Sequence, residues 1–423
     1  MEAMKTLKHL AAALAGAALA TCAAAAPAAV SDGALVKRGE YLARASDCIA
    51  CHSAAGKPAF AGGLAIDSGH GIIYSTNITP DKARGIGSYT EKQFADAVRK
   101  GVKPDGTHLY PAMPYPSYAK ISDADMKALY AFFQHGVQPS NYVPPATSMS
   151  FPFNMRWGMG IWNYFFGNDK PFRAQPGWSA QVARGAYLVE GMGHCGSCHT
   201  PRGVAMNEKA FDASSTAFLA GGELNGWPVP SLRGLPRWNE AAIVDYLQTG
   251  RNHGAAVAGE MTAVVEHSTS HLSTGDLHAM AAYLKTLSPV AAKPSVKPQG
   301  RSETAARLTA AQHLTLGERL YLDNCAACHF VNGQGASRVF PVLDGATVVN
   351  ADNPTALLHV MLAGAATPST DKAPSVLVMP GFAQRLNDEE AAALATFLRQ
   401  GWTNTAAPVS AGDVERVRAR LHH

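Results

Sequence analysis

The chain has 423 residues, enough for about three domains of ordinary size. Hydrophobic residues make up 47% of it and charged residues 16%, a balance that excludes an intrinsically disordered protein. The formal charge is only +4 and the sequence contains no block of Lys and Arg, so its composition is not that of a nucleic-acid-binding protein.

The N-terminus has the pattern of an export signal. Two lysines precede an apolar run at residues 10–20, which is too short to span a bilayer, and small residues follow at 23–29. We expect residues 1–26 to be removed on export and the mature chain to be periplasmic. A retained anchor and a lipoprotein cleavage box ending at Cys22 are the alternatives. No later apolar stretch reaches roughly 18 residues, so we expect no transmembrane helix in the mature chain.

The remaining six cysteines form three pairs, each followed directly by a histidine. The three pentapeptides contain Cys48, Cys51 and His52; Cys195, Cys198 and His199; and Cys325, Cys328 and His329. Cys-x-x-Cys-His is the attachment motif of c-type haem. Its spacing puts both sulfurs on one side of a helical turn, where they can form thioethers with the two porphyrin vinyl groups, and the histidine becomes the proximal iron ligand. The sequence therefore predicts three covalently bound haems c rather than disulfides or a zinc site.

The three motifs lie in three similar stretches of sequence. An amphipathic helix pattern with a glycine near its start precedes each motif. A helix that starts with a capping residue and carries an acid three residues later closes each stretch. These pairs are Ser122 with Asp125, Ser273 with Asp276, and Asn387 with Glu390. Class I cytochromes c, which the stretches resemble, pack these two helices together, so we predict an all-α protein of three tandem class I cytochrome c domains.

The sequence also suggests where these domains begin and end. We expect a signal peptide at 1–26, domains at 31–140, 178–288 and 309–405, an aromatic-rich linker at 141–177, an extended linker at 289–308, and a tail at 406–423. The aromatic linker either packs against its own domains or forms a contact surface for a partner or a quinone. For residues 413–421 we expect a solvated helix, with membrane contact as the alternative.

Each haem iron needs a second axial ligand, and one methionine precedes the last helix of each stretch. These residues are Met113, Met261 and Met379. A methionine sulfur opposite the histidine raises the haem potential, which suits an electron carrier. Met361 competes for the third haem. Four histidines near the motifs or the methionine loops are less favoured as ligands: His108, His194, His267 and His271.

Together these features resemble the tri-haem cytochrome c subunits of membrane-bound, periplasm-facing dehydrogenases. Those enzymes include quinoprotein alcohol dehydrogenases and flavin-dependent gluconate, sorbitol, fructose and glucose dehydrogenases. The resemblance is carried by residues 35–42, 75–81, 110–115, 184–190 and 193–195. It implies three haems c held by the three motifs with the three methionines, and electron flow from a partner dehydrogenase to ubiquinone. Cytochrome subunits of molybdenum-dependent aldehyde dehydrogenases look similar.

We therefore expect an electron-transfer subunit that performs no substrate chemistry itself and meets the membrane peripherally through its partner. Because a dehydrogenase removes two electrons from its substrate and each haem accepts one, closely placed haems can pass the electrons singly to an acceptor. A free periplasmic electron shuttle and an oxidase subunit are rival functions. A multihaem peroxidase is another, but it would need an iron with an open coordination position.

Overall fold

The computed structural model describes residues 32–224, 226–289 and 300–421. The fold is mostly helical, with 44% helix and 8% strand. The signal peptide expected at 1–26 and residues 290–299 of the linker expected at 289–308 lie outside the described residues. No helix in the described ranges is long and apolar enough to cross a membrane.

We divide the described chain into segment 1 (32–177), segment 2 (178–289) and segment 3 (300–421). The elements of segment 1 are α1 (Asp32–Ala45), α2 (Cys48–His52), β1 (Ala65–Asp67), β2 (Gly71–Tyr74), α3 (Glu91–Lys100), α4 (Tyr115–Tyr118), α5 (Asp123–His135), β3 (Ser148–Met149) and α6 (Gly158–Phe166). The three strands form one antiparallel sheet in the order β1-β2-β3. Strand β3 belongs to the predicted aromatic linker, so the sheet joins the start of that linker to the part of segment 1 that precedes it.

Segments 2 and 3 repeat the same order of helices around their motifs. The elements of segment 2 are α7 (Ala180–Tyr187), a π-helical turn (Leu188–Met192), α8 (Gly196–His199), β4 (Gly222–Leu224), β5 (Trp227–Val229), α9 (Glu240–Thr249), α10 (Met261–His267), a 3-10 turn (Thr269–His271) and α11 (Thr274–Thr286). Those of segment 3 are α12 (Arg301–Ala310), α13 (Leu316–Asn324), α14 (Ala326–His329), α15 (Thr347–Asn350), α16 (Thr355–Ala363), β6 (Ala365–Ala366), β7 (Val378–Met379), α17 (Asp388–Gln400) and α18 (Ala411–Leu421).

The predicted packing of the first helix against the last is confirmed in all three segments, as α1 against α5, α7 against α11, and α13 against α17. A glycine lies at each crossing. A Cβ atom on Gly39, Gly185 or Gly317 would lie 2.0, 1.9 or 2.4 Å from a carbonyl oxygen of the last helix. The glycine of each first helix is therefore required by the close approach of two helix backbones, although only Gly317 lies near the start of its helix.

The last helices begin at the predicted residues, and each cap side chain accepts a hydrogen bond from the backbone N–H three residues later. Among these three last helices, only the one capped by Asn387 has a reciprocal capping box, with Glu390. In segments 1 and 2 the corresponding acids, Asp125 and Asp276, instead bind an arginine of the first helix. Their carboxylates therefore join the two packed helices rather than closing the cap.

The π-helical turn of segment 2 has a local cause in the sequence. One more residue separates Gly185 from Cys195 than separates Gly39 from Cys48. The turn at Leu188–Met192 absorbs this extra residue without breaking the helix. It also brings Glu190, which is 4% exposed, into the interface with segment 1.

Segments 1 and 2 share one continuous hydrophobic core, in which Leu42 and Phe132 belong to the same cluster as Leu188 and Leu277. Segment 3 has a core of its own around Trp402. The first two segments therefore pack as a pair, and the third joins segment 2 through polar and ring contacts, such as Trp227 on His359. One such contact is the ion pair between Arg338 and Asp245, at 2.8 Å.

Two predictions about the connecting regions are wrong. Part of the expected extended linker is the helix α12, whose Leu308 is buried in the core of segment 3. The tail helix α18 is not simply solvated, because Val414 and Val417 are buried against the same core. Apolar side chains spaced at i and i+3 supply enough of a face for a short helix to pack when a core lies beside it.

Candidate haem sites

Each Cys-x-x-Cys-His motif folds into a short helical turn, as α2, α8 and α14. All six cysteines are free thiols. Burial raises the pKa of Cys48, Cys195 and Cys325 to about 12. A thiol with so high a pKa stays protonated at neutral pH, unlike a zinc-binding or redox-active cysteine, which functions as a thiolate. These three cysteines are therefore neutral, unpaired thiols in the folded chain.

The three motif histidines make the same hydrogen bond. The ring Nδ1 of His52 lies 2.7 Å from the carbonyl oxygen of Thr76. His199 has the same contact with Pro230 at 2.7 Å, and His329 with Pro341 at 2.8 Å. A carbonyl oxygen can only accept, so Nδ1 carries the hydrogen and donates it. This fixes the tautomer in which Nε2 keeps its lone pair for a metal.

Burial also lowers the pKa of each of these histidines, and the hydrogen bond to the carbonyl opposes that shift in part. The neutral ring is the form that ligates iron. At each site the histidine has the tautomer and the protonation state that iron ligation needs, and two thiols lie on the same helical turn. The residues present therefore fit a covalently attached haem with histidine as a proximal ligand.

Sequence reasoning missed the three carbonyl groups that orient the histidines. The loop of Thr76 is held by Asn77, whose buried side chain donates to the carbonyl oxygens of Ser140 and Tyr142 at 2.8 and 3.0 Å. A backbone carbonyl gives no signal in the residue pattern. The only signal available was the polar run at 75–81, which contributed to the family resemblance without a role being assigned.

The structure places the three predicted methionines at the edges of the hydrophobic cores. Met113 lies in a turn before α4, as the sequence suggested. Met261 is the first residue of α10 rather than part of a loop, and Met379 lies in β7, paired with Ala365. Their competitor Met361 is an interior residue of α16 and is 2% exposed.

The predicted residues of the second and third sites surround a single cavity of about 1780 Å³. Its walls include His199 with Met261 from segment 2 and His329 with Met379 from segment 3, together with the cysteines of both motifs. A pocket for one drug-sized ligand measures about 300–1,000 Å³. The cavity therefore has room for two large cofactors side by side. Met361 lines it as well, so the cavity alone does not choose between the two methionines of segment 3.

The first and second sites are also neighbours. Helix α10, which begins with Met261, packs against the motif helix α2. The pKa of Cys51 is raised mainly by burial, and the nearby Cys198 thiol adds to that shift. The three sites therefore follow one another in space in the same order as in the chain.

Three of the four histidines that the sequence left as weaker ligand candidates have other contacts. Desolvation lowers the pKa of the partly buried His194 to about 4, and its ring meets Tyr118 edge-on at 5.7 Å between centroids. His108 pairs with the amide of Asn163 at 3.1 Å. His271 contacts the carbonyl oxygen of Glu266 at 3.0 Å. Of these three, His194 also lines the cavity of the second and third motifs, whereas His108 and His271 do not.

Paired first and last helices around a Cys-x-x-Cys-His turn, with an oriented histidine, define a c-type cytochrome. Comparison with known proteins agrees, since the family model for cytochrome c matches residues 36–136 and 314–402. The second motif lies between the two matched ranges.

The chain is also similar over most of its length to dehydrogenase subunits. It is 47% identical over 404 residues to the cytochrome c subunit of alcohol dehydrogenase (quinone) from Gluconobacter oxydans, covering 92% of this chain and 83% of that protein. It is 46% identical over 402 residues to the gluconate 2-dehydrogenase cytochrome c subunit of Pantoea cypripedii, covering 92% and 90%. The fructose dehydrogenase cytochrome subunit of Gluconobacter japonicus is 36% identical over 409 residues, covering 91% and 82%. The chain belongs to this family of cytochrome c subunits of dehydrogenases.

Proposed function

We propose that the chain is the electron-transfer subunit of an exported dehydrogenase complex and carries three haems c in three cytochrome c domains. The paired cysteines of the three motifs hold the porphyrins, and His52, His199 and His329 are the proximal ligands. The distal ligands are the three methionines Met113, Met261 and Met379. The observation that carries this proposal is the hydrogen bond from Nδ1 of each motif histidine to a backbone carbonyl, repeated three times.

When bound, each haem supplies reversible one-electron transfer at its iron. The chain contributes ligands, a low-dielectric pocket and fixed spacing. The Thr76, Pro230 and Pro341 carbonyls keep the three imidazoles in one tautomer and one orientation. The apolar walls limit water at the sites, and a histidine–methionine pair leaves no open position for oxygen or peroxide.

The adjacency of the sites supports a relay along the chain. Segments 2 and 3 contribute to one cavity, and α10 of segment 2 contacts α2 of segment 1. Electrons removed in pairs by a partner that oxidises an alcohol, a sugar or a sugar acid would move singly between these sites. Ubiquinone is the acceptor we propose. The relatives named above are subunits of alcohol, gluconate and fructose dehydrogenases, which supports a partner of this class.

We further propose that the chain works in the periplasm, associated peripherally with the inner membrane. The export pattern of residues 1–26 supports this location, as does the chemistry of haem c, which is attached outside the cytoplasm. A dehydrogenase partner on the same face would deliver electrons without either protein crossing the bilayer.

The visible absorption spectrum of the complex tests the proposal. We expect a haem-to-protein ratio of three in the denatured, pyridine-treated protein, and reduction of the haems when the partner's substrate is added. Alcohols, aldoses, gluconate and aldehydes would be added in turn, with dithionite as the control that reduces every haem. Fewer than three haems would disprove the cofactor assignment. Reduction by dithionite but by no substrate would favour a free electron shuttle, and an aldehyde-specific response would favour a molybdenum aldehyde dehydrogenase as partner.

A further inference from the structure

Arg233 is a buried cation without a carboxylate partner. The residue is 7% exposed and lies three positions after Pro230, whose carbonyl group orients the motif histidine His199. In the part of the chain that the structure describes, no ion pair includes Arg233. A buried charge without a counter-charge costs free energy, because it has lost its hydration.

Backbone carbonyl groups hold the guanidinium in place but do not use all of its donors. Nε donates to the carbonyl oxygen of Ser288 at 2.9 Å, and Nη1 donates to those of Phe218 and Ser215 at 2.9 and 3.5 Å. Among the described residues, Nη2 has no acceptor for its two N–H groups. Arg233 also lines the cavity that the second and third sites share. Its remaining donors are therefore available to an anion bound in that cavity.

The three sites differ in charge at this position, three residues after the carbonyl group that orients the motif histidine. Segment 1 has the neutral Thr79, which donates to Asn77 Oδ1 at 2.8 Å. Segment 3 has Asp344, whose carboxylate forms an ion pair with Arg301. Only the second site has an uncompensated charge there, and that charge is positive.

The other cations of the cavity are not buried in the same way. Two further arginines line it, Arg237 and Arg420, and no lysine does among the described residues. Both are exposed, so water screens their charges more strongly than the charge of Arg233. The acids that line the cavity are Asp47, Glu260 and Asp352. A haem brings two propionate carboxylates, and the planar fork of an arginine matches a carboxylate better than an ammonium group does.

We propose that Arg233 binds a propionate carboxylate of the haem at the second motif and stabilises the reduced form of that haem. Reduction adds one electron, and with it one negative charge, to the iron centre, so a fixed cation beside the haem favours the reduced form. The electron comes from the partner dehydrogenase in the cell and from dithionite in the test. The inference rests on the proposed function, because it requires a haem at the second motif.

A spectroelectrochemical redox titration of the haem-loaded full chain tests the proposal. Arg233→Gln should lower the midpoint potential of one haem and leave the other two unchanged. The expected shift corresponds to about a tenfold loss in the equilibrium constant for reduction, the effect of one partly screened charge. Arg233→Lys keeps the charge but not the fork, so it should retain at least half of the wild-type shift.

Arg399→Gln is the matched control. Arg399 is 1% exposed and donates to the carbonyl oxygens of Ala407, Val349 and Ala351, as Arg233 does to its own three carbonyl groups. It is not among the residues that line the cavity. Arg399→Gln should therefore lower thermal stability, because buried carbonyl groups lose their donor, and leave all three midpoint potentials unchanged.

The variant Met261→Ala identifies the haem on which Arg233 acts. Loss of the thioether should lower the midpoint of the second haem, and adding Arg233→Gln should lower that same midpoint further. The proposal is overturned if Arg233→Gln has wild-type midpoints, if Arg233→Lys is as low as Arg233→Gln, or if the two substitutions move different midpoints.

A haem count by pyridine treatment separates this proposal from the proposed function. Fewer than three haems in the wild type would contradict the proposed function. Three haems with unchanged midpoints in Arg233→Gln would contradict only the role of Arg233. An unchanged haem count in each variant shows that the substitution did not prevent folding and loading.

Discussion

The Tyr187 hydroxyl of segment 2 donates a hydrogen bond to Asp125 of segment 1, at 2.7 Å. The equivalent tyrosine of segment 1, Tyr41, donates to Asp276 of segment 2 at 2.6 Å. Each aspartate also binds the arginine of its own first helix, Arg38 or Arg184. In each segment a tyrosine hydroxyl therefore donates to an aspartate of the other segment, so the interface between them is reciprocal. In segment 3 the residue at the same position, two after the glycine of the first helix, is the exposed Arg319 and not a tyrosine. Segment 3 packs separately.

We expect Tyr187→Phe to lower the free energy of unfolding by about 1–3 kcal/mol, because its hydroxyl both donates to Asp125 and accepts from the backbone N–H of Ser122. Urea denaturation followed by tryptophan fluorescence measures the change. Tyr164→Phe is the matched control, since that hydroxyl is at the exposed surface. An equal effect of both substitutions would contradict the importance of the interface bond.

The buried ion pair between Lys120 and Glu190 offers a sharper test of the same interface. The Lys120 Nζ and Glu190 Oε2 atoms lie 2.8 Å apart, and the two side chains are 6% and 4% exposed. Lys120→Met should destabilise the fold by about 3–5 kcal/mol, because it leaves a buried carboxylate without its cation. Lys92→Met breaks a pair on an 84% exposed side chain and should cost about 0–1 kcal/mol.

The double variant Lys120→Met/Glu190→Gln completes this experiment. Removing both charges should recover part of the stability lost in Lys120→Met, since no unpaired charge remains in the interface. Additive losses in the double-mutant cycle would show that the two side chains do not interact in the folded protein.

Glu208 should make stability depend on pH. Burial raises the pKa of this carboxyl to about 7, while Arg202 and Ser197 act in the opposite direction. The folded state then binds more protons than the unfolded state between the unfolded and folded pKa values, so stability falls as the pH rises through this window. Below this pH window Glu208 does not lower the free energy of unfolding. Above the window it lowers the free energy of unfolding by its full amount, roughly 2–4 kcal/mol.

We therefore expect Glu208→Gln to be more stable than the wild type at pH 8 and to lose that advantage at pH 4. Chemical denaturation at several pH values measures the difference. The Ser197 hydroxyl donates to Glu208 at 3.2 Å, which lowers the pKa of the carboxyl. In Ser197→Ala the pH-dependent loss of stability should therefore occur at a higher pH than in the wild type. A difference between Glu208→Gln and wild type that stays constant with pH would refute the prediction.

A redox titration tests the proposal that Met379, and not Met361, is the second ligand of the proposed third haem. Met379→Ala should lower the midpoint potential of one haem in a redox titration, because the thioether that raises it is gone. Met361→Ala should leave all potentials unchanged and lower stability by about 2–5 kcal/mol, since this side chain is 2% exposed in the core of segment 3. The reverse outcome would exchange the ligand assignment of the two residues.

Much of this fold is predictable from local patterns. The three pentapeptides and the caps at Ser122, Ser273 and Asn387 depend on residues within a few positions of one another. Helical periodicity and capping are set over such short distances, so local patterns predict the helices and the positions of the motifs. The pairing of the first and last helices followed from the resemblance to class I cytochromes c.

Contacts between distant parts of the chain needed the tertiary structure. Asp125 matches the capping-box pattern, yet its carboxylate binds Arg38 and Tyr187. The carbonyls that orient the motif histidines leave no mark on residue type. The small strands and the packing of α12 and α18 also depend on which surface lies beside them. The sequence determined which groups this protein can use, and the tertiary structure decided their partners, because a hydrogen bond or a buried face is completed by residues far away along the chain.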